Sequence, residues 1–351
     1  MSWDENVRKV VPYVPGEQPK SKDVIKLNTN ECPYAPSPMV LSAIKAYDGT
    51  DLRKYPDTDA TALVDELAKT YHLNKEQIFV GIGSDDVLSL AFLTFFNSKK
   101  PILFPDITYS FYDVWADLYK IPYETKALDE NFNIKKEDYF CDNGGVIIAN
   151  PNAPTGAQLP LSVIEEIISY NKDRVVIIDE AYVDFGAESA IPLIDKYDNL
   201  LVVQTFSKSR ALAGIRIGMA FGQEKIIKYL KDVKFSFNSY TLNPITIEVG
   251  AAALKDVEYF EDITKKTVAT RERTKEELRK LGFSFADSKT NFIFASHATK
   301  SAKDIFEALK AQNIYVRYWN KARINNHLRI SMGTDEQMDT MLEFLKGYLN
   351  G

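Results

Sequence analysis

Residues 175–210 read VVIIDEAYVDFGAESAIPLIDKYDNLLVVQTFSKSR. Two short apolar runs stand in this stretch, Val175–Ile178 and Leu200–Val203. Uniformly apolar runs of this length, mostly β-branched, predict strands buried on both faces, the habit of a parallel sheet covered by helices. Each run ends abruptly in polar chemistry: the first in Asp179-Glu180-Ala181-Tyr182, the second in Gln204-Thr205-Phe206-Ser207-Lys208-Ser209-Arg210. Sheets of this kind bind ligands beyond the carboxyl ends of their strands, so Asp179 and Lys208 fall where chemistry is expected. Arg210 or Arg216 beside Lys208 disfavours its ammonium form and promotes the neutral amine that attacks an aldehyde. Taken singly, these residues also read as a solvated aspartate and a surface lysine. Together they form the pair that pyridoxal 5'-phosphate requires: a Schiff-base lysine, and a carboxylate that keeps the ring nitrogen protonated.

The same alternation extends outward. Apolar runs at Ile78–Val80, Pro101–Phe104, Val146–Ala149 and Ile217–Phe221 are separated by longer helical patterns. Residues 28–250 are therefore predicted to form a large α/β domain with a mostly parallel sheet between helices. Residues 251–351 change character and predict a smaller α+β domain. Its elements are a long charged helix ending near Leu281, strands at Asn291–Ala295, Ile314–Arg317 and His327–Ser331, and helices at Ala302–Gln312 and Asp335–Leu349. Residues 1–27 carry Pro12, Pro15 and Pro19 without periodicity and read as an extended arm laid across another surface.

Three further loops follow predicted strands. Gly81-Ile82-Gly83-Ser84-Asp85-Asp86 stands between a strand and the helical pattern Val87–Phe96. Glycines permit close backbone approach, and a helix N-terminus attracts an anion, here the cofactor phosphate, with Ser207 and Arg216 completing the shell. An ordinary cap by Ser84 or Asp85 is the alternative. In Asn150-Pro151-Asn152-Ala153-Pro154-Thr155-Gly156 the prolines fix a turn, and Asn152 offers an amide to the phenolate oxygen of the cofactor ring, as does Tyr182. Tyr109 follows the strand Pro101–Phe104 and offers a ring for stacking on a flat heterocycle.

Composition narrows the partners. Lys plus Arg (43) against Asp plus Glu (49) gives a net charge of −6 over 351 residues, and no basic run points to nucleic acid. Cys32 and Cys141 lack the spacing of a metal or disulfide framework, so no metal is expected. There is no apolar run of membrane-spanning length and no signal-peptide core, which predicts a cytoplasmic protein acting on small molecules.

The ordered series Asn30-Glu31-Cys32-Pro33, Arg53-Lys54-Tyr55-Pro56-Asp57, Gly83-Ser84-Asp85, Asn150–Gly156, Asp179–Tyr182, Ser207-Lys208 and Ala213-Gly214-Ile215-Arg216 resembles the fold-type-I pyridoxal-phosphate aminotransferases, and among them the histidinol-phosphate aminotransferases. The likeness runs from about Pro12 to Gly333. It implies Lys208 as the Schiff-base residue, Arg216 and the Gly83–Asp85 turn on the cofactor phosphate, and Tyr55 reaching that phosphate from a neighbouring subunit. A homodimer is thus implied. For substrate it points to Tyr13, Asn152, Arg317 and Arg329, the guanidinium forks suiting either the phosphate of histidinol phosphate or a carboxylate of glutamate. The implied reaction is transamination between L-histidinol phosphate or imidazole acetol phosphate and glutamate or 2-oxoglutarate, in histidine biosynthesis. Ala153, Cys32 and Ser209-Arg210 depart from the commonest family pattern, and Arg210 adds a charge expected near the site.

The alternatives are an aromatic amino-acid aminotransferase and a threonine-phosphate decarboxylase on the same scaffold. From another class, a nucleotide-binding regulator or dehydrogenase lacks the third glycine of a dinucleotide fingerprint and leaves Lys208 without a task. A binding module without turnover leaves the Asp179–Lys208 pair unexplained.

Overall fold

The computed structural model describes residues 2–21 and 23–350; Met1, Lys22 and Gly351, at the edges of the arm and of the C-terminal region, lie outside the described residues. Its larger sheet has seven strands in the order β2-β8-β7-β6-β5-β3-β4. These are β2 (Ile78–Ile82), β3 (Ile102–Pro105), β4 (Tyr123–Lys126), β5 (Gly145–Ala149), β6 (Val176–Asp179), β7 (Leu200–Thr205) and β8 (Ile217–Phe221). Strands β3 to β7 pair in parallel, whereas β8 runs antiparallel to both β7 and β2.

The uniformly apolar runs are explained by burial on both faces. Alternate residues of each strand point to opposite sides. Val176 and Ile178 enter one core with Val146 and Ile148, while Ile177 enters the other with Ile147 and Leu201. The first core is covered by α2 (Thr61–Tyr71), α5 (Leu161–Tyr170) and α7 (Pro244–Lys255), with α1 (Pro38–Ala46) packed on α7. The second is covered by α3 (Gly83–Phe95), α4 (Tyr112–Tyr119) and α6 (Glu224–Phe237).

The second sheet has the order β1-β11-β12-β10-β9. It contains β1 (Ile25–Leu27), β9 (Phe283–Phe285), β10 (Phe292–His297), β11 (Ile314–Tyr318) and β12 (Leu328–Ser331), with α8 (Val257–Lys280), α9 (Ala302–Ala311) and α10 (Asp335–Asn350). Leu27, Ile293, Val316, Ile330, Met338 and Leu345 meet in its core.

Two expectations change. The arm does not stay irregular through residue 27: Ile25–Leu27 pairs in parallel with Ile314–Val316 and becomes the edge of the C-terminal sheet. Three residues carry too little periodicity to reveal a strand, and the partner lies far along the chain. The limit between residues 250 and 251 falls inside α7, and the helical path breaks at Asp256, where α7 gives way to α8. Among the described residues no helix is long and apolar enough to cross a membrane.

Candidate active site

Strands β5, β6 and β7 end side by side, with Ala149 paired to Asp179 and Asp179 to Val203. Their parallel register brings Asp179 and the loop carrying Lys208 to one edge of the sheet. Asp179 and Lys208 line the same cleft, together with Ser84, Tyr109, Tyr182 and Arg216.

Asp179 is buried. One carboxylate oxygen accepts from the Tyr112 hydroxyl at 2.8 Å and the other from the Ala181 amide at 3.2 Å. Burial pushes its carboxyl up to about 6; the two donors and Lys208 pull the other way, and Asp85 adds to the rise. Among the described residues this carboxylate has no ion pair, although Lys208 lines the same cleft. Tyr112, itself buried, stays a phenol far above its ordinary range for the same reason of burial beside a carboxylate. No local signal points to Tyr112: 67 residues separate it from Asp179, and nothing nearby in sequence marks which of many aromatics faces that carboxylate.

Lys208 follows β7. Its Nζ lies 3.3 Å from the Thr29 carbonyl and 5.7 Å from the centre of the Tyr182 ring, and among the described residues it has no ion pair. Arg210, expected to add charge here, turns away. Its guanidinium sits 4.1 Å from the Phe260 ring and 5.2 Å from that of Phe206, and donates to the Ala253 carbonyl. The polar neighbour Ser209 likewise turns aside to Asp184. A cation buried between rings packs helix α8 against the loop and keeps the Arg210 charge out of the cleft that Lys208 lines.

The turn Gly83–Asp85 begins α3 itself, one turn earlier than the hydrophobic pattern predicts, and no side chain caps its first N–H groups. Gly83 has φ +78, and a β-carbon there would lie 2.5 Å from Arg216 Nη2. A β-carbon on Gly218 of β8 would come within 2.2 Å of the Gly83 carbonyl carbon. Both positions therefore need glycine for the backbone of α3 to approach β8 and the guanidinium. Arg216 donates to the Ala213 carbonyl at 3.2 Å and touches Asp85 only loosely, at 3.5 Å, with both side chains partly exposed. Uncapped N–H groups, a helix N-terminus, Ser207 and a loosely held arginine make a cradle for a phosphate.

Tyr109 closes one side of the cleft and donates to Asp85 at 2.7 Å. Asn152 departs from expectation: its amide nitrogen donates to the Ile107 carbonyl and to Thr155, and its oxygen accepts from Thr108. The amide is engaged by its own turn and by the loop after β3, so in this arrangement Tyr182 remains the donor directed at the cleft. The Tyr182 hydroxyl accepts from Asn30 Nδ2 at 2.8 Å. Asn30, at φ +56, also joins Ser331 and Asn291, which ties Tyr182 to the C-terminal sheet. Its motif stood out in the sequence, but its bonding lay beyond local reading.

A second cleft adjoins the first and shares Lys208, Tyr109 and Tyr182 with it. Tyr13, Arg317, Arg329 and Trp319 line its far side. Tyr13 stacks on Phe111 at 4.1 Å. Arg329 donates to the Asn28 carbonyl at 2.9 Å, and its Nε is buried without a hydrogen-bond partner among the described residues. Tyr55 lies outside both clefts, 80% exposed and stacked on Tyr240.

With a lysine, a buried carboxylate and an anion cradle in one cleft, comparison with known proteins is decisive. The family described as aminotransferase class I and II matches residues 22–345. The chain belongs to the aminotransferase class I and II family. Among curated relatives of this aminotransferase, the histidinol-phosphate aminotransferase of Lactococcus lactis subsp. cremoris (strain MG1363) is 53% identical over 99% of this chain and 98% of its own. That of Clostridium beijerinckii is 51% identical, over 99% and 97%. The fold is shared with the histidinol-phosphate aminotransferase of Clostridium acetobutylicum (TM-score 0.85, 24% identity, 93% of this chain and 99% of that one). It is shared equally with that of Sinorhizobium meliloti, solved in complex with pyridoxal-5'-phosphate (TM-score 0.84, 24% identity, 93% and 91%).

Proposed function

We propose that this aminotransferase uses pyridoxal 5'-phosphate to exchange an amino group between L-histidinol phosphate or imidazole acetol phosphate and glutamate or 2-oxoglutarate, a step of histidine biosynthesis. The observation that carries the reading is the continuity of the two clefts at Lys208: a cofactor site on one side, two guanidinium groups on the other. The identity of 51–53% to curated histidinol-phosphate aminotransferases over nearly the whole chain supports the same substrate.

The cradle fits the cofactor. Ser207, Arg216 and the N–H groups of Gly83–Asp85 hold its phosphate, Asp179 its ring nitrogen, Tyr182 its phenolate oxygen, and Tyr109 its ring face. When bound, pyridoxal phosphate supplies an aldehyde that captures the amine and a protonated ring that draws electrons from the reacting carbon. Lys208 Nζ would take the proton from that carbon and hold it for return to the cofactor's aldehyde carbon. Asp179 keeps the proton on the ring nitrogen by its charge. Arg317 and Arg329 together hold the phosphate of one substrate, and one of their forks the remote carboxylate of the other, which places the reacting carbon over Lys208. Tyr13 closes the cleft and excludes water.

The test is a panel of amino acceptors with glutamate as donor. Imidazole acetol phosphate is expected to exceed phenylpyruvate in kcat/KM by about 10- to 100-fold, the worth of hydrogen bonds between a phosphate and charged donors. Preference for phenylpyruvate, or release of carbon dioxide from threonine phosphate, would overturn the substrate assignment.

We further propose a homodimer in which Tyr55 of each subunit completes the phosphate site of the other. Its exposure outside its own cleft supports this, as do the exposed apolar side chains of Leu52, Leu41 and Ile44. Mixing Lys208→Ala with Tyr55→Ala subunits should restore up to about a quarter of wild-type activity, since half the dimers are hybrids with one intact site. A monomer in sedimentation, or no recovery on mixing, rejects it. The same reading places the protein in the cytoplasm, which cell fractionation checks.

A further inference from the structure

Arg317 and Arg329 are register partners on the antiparallel strands β11 and β12, so their side chains leave one face of the sheet side by side. Like charges in that relation repel. Among the described residues neither guanidinium has a carboxylate partner: Arg317 hydrogen-bonds only to the carbonyls of Val14 and Pro15, at 3.5 Å, and Arg329 only to that of Asn28, with the Phe292 ring centre 5.4 Å from its guanidinium. Something other than a counter-ion must hold the two cations together.

Trp319 lies just beyond the end of β11, two positions after Arg317 and therefore on the same face by strand alternation. The guanidinium carbons of Arg317 and Arg329 each stand 5.2 Å from its indole ring. The negative π face attracts both cations and offsets their repulsion without occupying the hydrogen-bonding edges of either fork. The ring is itself fixed, packed against the cluster of Ile107, Leu128, Phe294 and Ile324. Four residues on, Arg323 pairs with Asp106 and donates to the carbonyls of Leu128 and Asp129, which pins this loop to the large sheet's side of the cleft.

We infer that Trp319 is a specificity-determining positioning residue, whose indole gathers Arg317 and Arg329 into a single site for a phosphate dianion. The inference rests on the substrate reading given above and deepens it. A dianion draws on both guanidinium groups at once, whereas a carboxylate is satisfied by one fork. Loss of the ring lets the cations separate and costs the phosphate-bearing substrate more than glutamate.

The holoenzyme and its Trp319→Leu and Trp319→Phe variants would be titrated calorimetrically with inorganic phosphate, and KM and kcat measured for L-histidinol phosphate and for glutamate. Trp319→Leu is expected to weaken phosphate binding and raise the KM for histidinol phosphate by about tenfold, the worth of one to two partly desolvated cation–π contacts. The KM for glutamate should change less than about threefold, with kcat and cofactor absorbance retained, and Trp319→Phe should recover most of the loss because a π face remains. Wild-type phosphate affinity in Trp319→Leu, an equal loss for both substrates, or a Phe variant as impaired as the Leu variant would overturn the assignment. If histidinol phosphate is no substrate of the wild type but phosphate binding is still lost in Trp319→Leu, the substrate reading fails and the role of Trp319 stands.

Discussion

Lys208→Ala is expected to lower turnover by about four orders of magnitude or more, because one group both joins the cofactor and moves the proton. Its Nζ has no ion pair among the described residues and rests 3.3 Å from a carbonyl, so removing it breaks no salt bridge and the fold should survive. Melting temperature and far-ultraviolet circular dichroism should therefore match the wild type. The visible absorbance of lysine-bound cofactor should disappear, while cofactor still binds through Arg216 and the start of α3. Lys208→Arg keeps the positive charge but cannot act as the amine, and should be as inactive. Retained absorbance and turnover in either variant would end the assignment of Lys208.

The second large effect belongs to Asp179. Asp179→Asn is expected to reduce kcat by about three orders of magnitude, since a neutral amide cannot hold a proton on the ring nitrogen by charge. It carries a separate signature in the protein without cofactor. The buried carboxyl is pushed from an ordinary 3.8 up to about 6, so folding favours its neutral form. The favourable contribution is complete below pH 4 and is lost as pH rises through about 6. Between pH 5 and pH 8 the stability difference between wild type and Asp179→Asn should therefore shift against the wild type by about 1–2 kcal/mol, measured by urea unfolding. Bound cofactor places a cationic ring nitrogen against the carboxylate and should abolish this slope. A slope of opposite sign, or one that persists in the holoenzyme, would mean that Asp179 does not face the ring nitrogen.

Much of the architecture was legible in short runs. Val175–Ile178 and Leu200–Val203 announced strands buried on both faces, and the structure places both inside the sheet between two cores. The edge strand Tyr123–Lys126 was not foreseen, because an exposed edge keeps polar side chains and loses the apolar signature. Ile25–Leu27 was missed for a different reason: its strand character comes wholly from pairing with Ile314–Val316. At the site, Asp179, Lys208 and the Gly83–Asp85 turn were readable because strand ends and helix starts mark themselves locally. Arg210 was misplaced since a charge near Lys208 in sequence says nothing of its direction, and stacking on Phe260 took it away. Asn152 was assigned an open amide, which Thr155 of its own turn and the distant Ile107 carbonyl take up.

The sequence by itself determined which groups exist and on which elements they sit: a lysine after one strand, an aspartate at the end of its neighbour, a glycine-bearing turn ahead of a helix. Those facts depend on local propensity and on periodicities of two and 3.6 residues, which are short-range. Tertiary structure alone decided which groups face one another: Tyr112 against Asp179, Asn30 against Tyr182, and Trp319 between two arginines that sheet register sets opposite each other. Those contacts join elements remote in sequence, and the direction of a side chain across such a gap follows from how cores pack and strands align.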